Sequence, residues 1–375
     1  MSKSRLSRLI VADSESSPDM LHATRFFAPD PFIFLEKNGK RTIVLNDLEI
    51  DRGRRTAKVD EVISYAEIPK GKSKQGKGPA KFHETVARFL KARKVRSALV
   101  PSTFPLGLAN ELAKAGIKLS PETGLFWKER EFKTDSELQL MSRVLKITET
   151  GMARGVEVLK ASKIGPKGRL FWAGHPLTSE ILRAEIDSAI LRVGGLPANT
   201  IVAGGKQGCD PHERGSGPLS AHTLIILDIF PRDTRSGYYG DLTRTVVRGR
   251  ATDAQRRLWE TVLEGQTLAL NAMKPGADGG PIHDAIKDFF KQRGYPTGQK
   301  KGRWTGFFHG TGHGLGLEIH EEPRFSATVF KPGQVITVEP GLYYPHIGGA
   351  RIEDVATITR TGVRLLSGFP KVFEI

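Results

Sequence analysis

A chain of 375 residues with 38% apolar and 26% charged side chains can bury a sizeable core and, by length, two domains. No run approaches the ~20 apolar residues of a membrane span. The basic N-terminus MSKSRLSRLIVADSESSPD lacks the apolar stretch of a secretory signal, and the single cysteine, Cys209, excludes an internal disulfide. A cytoplasmic protein is therefore expected. The formal charge of +16 is concentrated partly between Lys70 and Arg96, where ten Lys or Arg face only Glu84. Such a run can be a phosphate footprint, but it has no interleaved aromatics and no recognisable nucleic-acid module. The expectation is a solvated face with a flexible loop, with no nucleic-acid or membrane partner.

The first ~125 residues read as alternating strands and helices. FIFLEKNG and KRTIVLND predict a hairpin around Asn38-Gly39. The helical pattern HETVARFLKARK precedes the strand-like SALVPS. Residues 71–81, GKSKQGKGPAK, form a loop within this region, because the alternation continues beyond them. The boundary falls near 126–135, giving domains at 1–130 and 131–375. Thr134 and Glu137 predict a capping box at the start of a long amphipathic helix. A second helix follows Thr178 and stops at Gly194-Gly195. A third is capped by Thr252 and Gln255 and ends at Lys274-Pro-Gly. A fourth, IHDAIKDFFKQR, ends at Gly294. Strands NTIVAGG, HTLIILDIF, YYGDLTRTVVR, QVITVEPGLYY and GARIEDVATIT surround them. Helices backing a curved antiparallel sheet make the second domain α+β.

Five candidate metal ligands stand in that domain in the order Asp228, Asp241, His313, Glu339 and Glu353. Their settings are LDIFP, YGDLTRT, GTGHGLG, TVEPG and RIEDVA. Four carboxylates and one imidazole suit a pair of divalent ions, Mn²⁺ first, with Co²⁺, Zn²⁺ or Fe²⁺ as the others. Carboxylates can bridge, so such a set can hold two ions about 3.5–4 Å apart and share a hydroxide between them. That points to a hydrolase. PRDTRSGYY reads as a hairpin turn that brings Asp228 and Asp241 to one end of a ribbon; Asp233 is a rival on spacing, but lies in the tip. Period-two alternation places Arg351 and Glu353 on one face and Asp354 on the other. Glycines around His313 let the backbone approach closely, and His309, His313 and His320 fall within twelve residues. His222 reads as structural and Cys209 as incidental, while His346 could line a cleft.

In this order, and with HGTGHGLGLEIHEEP between them, the five segments resemble the creatinase/prolidase/methionine aminopeptidase superfamily, the pita-bread metallopeptidases. The resemblance covers roughly residues 134–375 and, more loosely, the region before. It implies a pita-bread catalytic domain preceded by a smaller creatinase/prolidase-like α/β domain. Asp228 would chelate one ion, His313 and Glu339 the other, and Asp241 and Glu353 would bridge. Glu339 would also carry the proton from the bridging water to the departing nitrogen. His320 matches the position that hydrogen-bonds the scissile carbonyl, and His309 a histidine typical of the Xaa-Pro-cleaving branch. His212, sixteen residues before Asp228, matches one on the substrate-facing side. The turn between the aspartates is two residues longer than the family usually has.

Arg351-Ile352 stands where methionine aminopeptidases carry Gln-Phe, so the proline-specific branch is expected, with Arg351 counted among the substrate-binding residues. The activity implied is hydrolysis of the Xaa-Pro bond of small peptides with proline at the second position, by a homodimer. Three rivals remain in view: a non-catalytic relative that binds nucleic acid or protein, a metal-free creatinase-like amidinohydrolase, and a metal hydrolase with a non-proline substrate.

Overall fold

The hairpin at Asn38-Gly39 organises the N-terminal sheet. Both turn residues take positive φ, 52° and 78°, which is what a two-residue turn matched to strand twist demands. It joins β2 (Phe32–Lys37) to β3 (Lys40–Leu45) in antiparallel register. The structure, a computed structural model, describes residues 7–69 and 81–375. Most of the loop expected at 71–81, and the start of the basic stretch 70–96, lie outside the described residues.

Residues 1–130 form one compact unit and 131–375 a second. In the first, β1 (Ser7–Ala12), β4 (Glu61–Ser64), β5 (Ser97–Pro101) and β6 (Lys118–Glu122) complete a six-stranded sheet in the order β4-β3-β2-β1-β5-β6. Its helices are α1 (Pro18–Thr24), α2 (Ile50–Thr56), α3 (Phe82–Ala92) and α4 (Leu106–Lys114). Successive side chains of β1 feed two separate apolar clusters. Leu9 and Val11 pack with Val86, Phe89 and Leu112, whereas Ile10 packs with Met20, Phe34 and Trp127. Strand periodicity of two produces this division.

In the second unit α5 (Asp135–Ala161) begins at the expected capping box. Thr134 Oγ1 accepts from the Glu137 amide at 3.3 Å and Glu137 Oε2 from the Thr134 amide at 2.9 Å, an arrangement worth ~1 kcal/mol. Glu137 Oε1 also accepts from the buried Tyr238 hydroxyl at 2.7 Å, tying the helix start to the loop ahead of Asp241. α6 (Ser179–Arg192) crosses α5 closely because α5 offers glycine there: a Cβ at Gly151 would lie 2.7 Å from Ile190 Cγ1. α7 (Asp253–Ala272) has the capping box of Thr252 and Gln255, and α8 (Gly279–Gln292) starts at the Asp278 cap.

The strands divide between two helix pairs. α5 and α6 bury Ile147, Leu182 and Ile186 against Ile201–Gly204, Leu224–Ile229 and Leu242–Val247. α7 and α8 bury Leu258, Val262, Ile286 and Phe290 against Val338, Leu342 and Ile352. Each such side chain taken from water contributes about 1.5–3 kcal/mol. The second half holds a five-stranded antiparallel sheet whose centre is His313–Gly314, Val335–Val338 and Asp354–Ile358. The architecture is α+β.

Two expected strands are broken. QVITVEPGLYY divides into Val335–Val338 and Gly341–Tyr344, because Pro340 has no N–H to continue a ladder. GARIEDVATIT divides into Gly348–Arg351 and Asp354–Ile358, because the Glu353 amide leaves the ladder and donates to the Thr243 carbonyl at 3.1 Å. Glu339 and Glu353 occupy these two breaks.

Candidate metal centre

Asp228 lies in the antiparallel strand Leu224–Ile229 with Thr243 as its partner. Asp241 precedes that partner by two residues, so the pleat puts both aspartates on one face, diagonally placed. The intervening turn uses Asp233 for itself: its carboxylate accepts from the Ser236 amide at 3.2 Å and the Ser236 hydroxyl at 2.5 Å. α5 backs the turn, since a Cβ at Gly240 would stand 2.2 Å from Thr148 Oγ1.

The strands packed on the other helix pair supply His313, and the two breaks in them supply Glu339 and Glu353. His313 Nδ1 donates to the Gly314 carbonyl at 3.1 Å, so Nε2 carries the free lone pair. That nitrogen stands 3.3 Å from Glu339 Oε1 and 3.7 Å from Asp241 Oδ2. The loop can seat the imidazole this deeply because Gly312 presses on the backbone; a Cβ there would meet Thr337 O at 1.8 Å. Glu353 Oε2 accepts from Thr243 Oγ1 at 2.8 Å. One ligand atom from each of Asp241, His313 and Glu353 falls within 4.8 Å of the others. Asp354 turns away to Arg244 at 2.9 Å, with Ser367 and Gln266.

The electrostatics are those of an acid cluster in want of cations. Burial, with Asp228 and Glu339, pushes Asp241 well above the usual carboxylate range. Burial and the charges of Asp241, Glu339 and Asp228 do the same to Glu353. Burial carries Glu339 up to about 7, helped by Asp228 and opposed by Arg351. Burial holds His313 at about 3, with His320 and Arg324 adding to it. Asp228 Oδ1 and Glu353 Oε1 are buried with no hydrogen-bond partner. Leaving such an oxygen unsatisfied costs about 1–3 kcal/mol. Bare carboxylate oxygens beside a neutral imidazole nitrogen fit divalent cations and little else.

A second layer of bonds fixes this cluster. Arg351, with 4% of its side chain exposed, donates to Asp228 Oδ2 at 2.6 Å and to the Tyr343 hydroxyl at 2.9 Å. Its remaining bonds run to Pro211 O and Thr243 Oγ1, both at 3.4 Å. The Tyr343 hydroxyl in turn donates to His309 Nε2 at 2.9 Å, and His309 Nδ1 donates to the Gly310 carbonyl at 2.8 Å. Both nitrogens of His309 are thus occupied, and burial with the neighbouring Arg351 charge keeps the ring neutral, at about 3. His320 sets its ring edge-on to His313 at 4.3 Å. Burial, Arg324 and His212 lower its pKa. His212 is exposed, yet close enough for its charge to act on both His309 and His320. His222 lies in a turn with Arg250, and His346 is exposed at a turn.

Thr243, Tyr343 and His283 were not legible as site residues. Thr243 and Tyr343 matter through partners brought in by the fold. His283 comes from α8 and binds Thr311 Oγ1 through Nδ1 at 2.8 Å. A histidine on an amphipathic helix carries no signal of such a contact.

Antiparallel sheets packed on two helix pairs, with this cluster of carboxylates and an imidazole between the halves, are the architecture of a pita-bread metallohydrolase. Residues 139–360 match the model of Metallopeptidase family M24, and the chain belongs to that family. It is similar to the Xaa-Pro dipeptidase of Pyrococcus furiosus, 32% identical over 245 residues that cover 64% of this chain and 63% of that one. The Xaa-Pro dipeptidase of Pyrococcus horikoshii is 29% identical over 77% of this chain and 78% of its own. In fold, the crystal structure of the X-Pro aminopeptidase of Thermotoga maritima superposes with a TM-score of 0.82 at 22% identity, covering 99% and 98% of the two chains.

Proposed function

We propose that this chain is an exopeptidase that uses two divalent ions to hydrolyse the Xaa-Pro bond of small peptides with proline at the second position. The observation that carries the reading is the gathering of ligand atoms from Asp241, His313 and Glu353 within 4.8 Å, with Glu353 Oε1 and Asp228 Oδ1 buried and unpartnered. Asp228 would hold one ion and His313 and Glu339 the other, with Asp241 and Glu353 shared between the two. Manganese is the first candidate. When bound, the pair supplies Lewis acidity and a water made nucleophilic near neutral pH. The similarity to two Xaa-Pro dipeptidases supports the proline preference.

The chain's own residues divide the remaining work. Glu339 takes the proton of the attacking water and delivers it to the departing nitrogen. His320 and His212 make no hydrogen bond among the described residues, so their rings are free to meet the scissile carbonyl and the peptide backbone. His309 acts through Tyr343, and Arg351 through Asp228: both hold the cluster in place rather than touch the substrate. Residues 1–130 act as a creatinase/prolidase-like domain and 131–375 as the catalytic domain of a cytoplasmic homodimer. Among the described residues no helix is long and apolar enough to cross a membrane.

The test is turnover of Xaa-Pro and Xaa-Pro-Xaa peptides by metal-stripped protein before and after adding Mn²⁺, Co²⁺ or Zn²⁺. Metal-dependent cleavage before proline is the expected result. Two ions bound per chain with no cleavage would make this a hydrolase of another substrate, and no ion bound would favour a binding module.

A further inference from the structure

Ahead of His309 the chain makes a short hairpin, Gly298–Lys300 against Arg303–Thr305, with Gln299 opposite Trp304. Its far end is fastened to the site, since Gly306 and Tyr343 exchange backbone hydrogen bonds at 3.1 and 3.3 Å. From Pro296 to Phe308 there is no acidic residue. Lys300, Lys301 and Arg303 are all exposed, and none pairs with a carboxylate among the described residues. Trp304 is 50% exposed, whereas Trp127 and Trp259 are buried.

An indole left half in water beside three unpaired cations contributes little to the core. Its covered side leads inward instead. The Trp304 ring lies 6.4 Å from Phe308, and Phe308 lies 5.3 Å from Tyr343 and 6.3 Å from His309. The Arg303 charge acts on the buried Cys209 thiol, which packs with Tyr343 just before the His212 loop. An extended peptide advances about 3.3–3.6 Å per residue. Each ring step outward from Tyr343, 5.3 Å to Phe308 and then 6.4 Å to Trp304, spans one to two residues of such a chain.

We propose that Trp304 and Arg303 form an outer subsite that packs the side chain following proline and pairs with the peptide's terminal carboxylate. This rests on the proline-peptidase reading above and extends it: the preferred substrates are Xaa-Pro-Xaa peptides with a free C-terminus. The indole supplies an apolar face at small entropic cost and the guanidinium a fork that matches a carboxylate.

The experiment compares kcat/KM for alanyl-proline, alanyl-prolyl-phenylalanine and the amide of the latter in metal-loaded wild type, W304A and R303Q. Wild type should favour the tripeptide acid over both other peptides. W304A should lower the tripeptide-to-dipeptide ratio by roughly 5- to 10-fold, mainly through KM. R303Q should abolish the preference for the acid over the amide. Ratios equal to wild type in both variants would overturn the subsite while leaving the peptidase intact. Cleavage of none of the three by wild type would overturn the proline-peptidase reading and the subsite with it. Both positions are solvent-facing, so loss of fold is not expected, and circular dichroism of each variant checks it.

Discussion

Glu353→Gln should make the metal-free protein more stable and the metal-loaded protein inactive. Glu353 and Asp241 place ligand atoms within 4.8 Å of one another, and at an effective dielectric of ~20 two such charges repel by about 3 kcal/mol. The amide keeps the acceptor for Thr243 Oγ1 and lets its nitrogen donate toward Asp241, which already faces Glu353 within hydrogen-bonding reach. For a unit the size of residues 131–375, each kcal/mol moves Tm by ~2–4 °C, so a rise of about 6–12 °C is the ceiling. The gain must depend on pH in one direction. A carboxyl raised in the fold is protonated in both states below its ordinary value near 4.5, and its charged form is penalised only as pH rises above that. Calorimetry in chelator at pH 4.5 and 8 should therefore find the gain at pH 8 and almost none at pH 4.5. With Mn²⁺ added the order should invert, because wild type gains a bridge that the variant lacks. A variant that melts below wild type at pH 8 without metal would refute the account of an acid cluster built for cations.

Three further outcomes are expected. Asp241→Ala should lose both ions together, measured as metal per chain by plasma emission; full occupancy would disprove bridging. His320→Ala should keep the ions and lose turnover by about 10²–10³-fold, as removal of a transition-state donor does, and normal turnover would remove its assigned role. Metal affinity should fall as pH drops below about 7, where Glu339 retains a proton that must leave, by about tenfold per unit for each proton displaced. Titration calorimetry between pH 5.5 and 7.5 checks this, and a flat profile would contradict it.

The converging residues could be read from the chain because each sits in a short, locally constrained setting. Gly312 and Gly314 bracket His313, Pro340 follows Glu339, and a turn-rich segment separates the aspartates. Helix starts were equally legible, since the capping boxes at Thr134 and Thr252 are local devices. What could not be read is what depends on distant pairing. The strand break at Glu353 arises from an amide bonded to Thr243, far away in sequence. Alternation alone placed Arg351 on the Glu353 face, but not in the grip of Asp228 and Tyr343. His309 reads as a histidine open to substrate, until Tyr343 arrives from another strand to occupy its second nitrogen.

The glycines of the His313 loop also bear on how this enzyme could be re-engineered. At Gly312 and Gly316 an added methyl would meet Thr337 O at 1.8 Å and Glu321 Oε1 at 2.3 Å, so that loop tolerates almost no sequence change. At Gly298, in the hairpin that carries Trp304, it would meet nothing within 4 Å, whereas Gly302 at the tip holds a φ of 76° that favours glycine. If the hairpin forms the outer subsite proposed above, room for variation and contact with the substrate's outer end coincide around Gly298. Libraries aimed at a new peptide preference belong there, where selection can act without disturbing the chemistry.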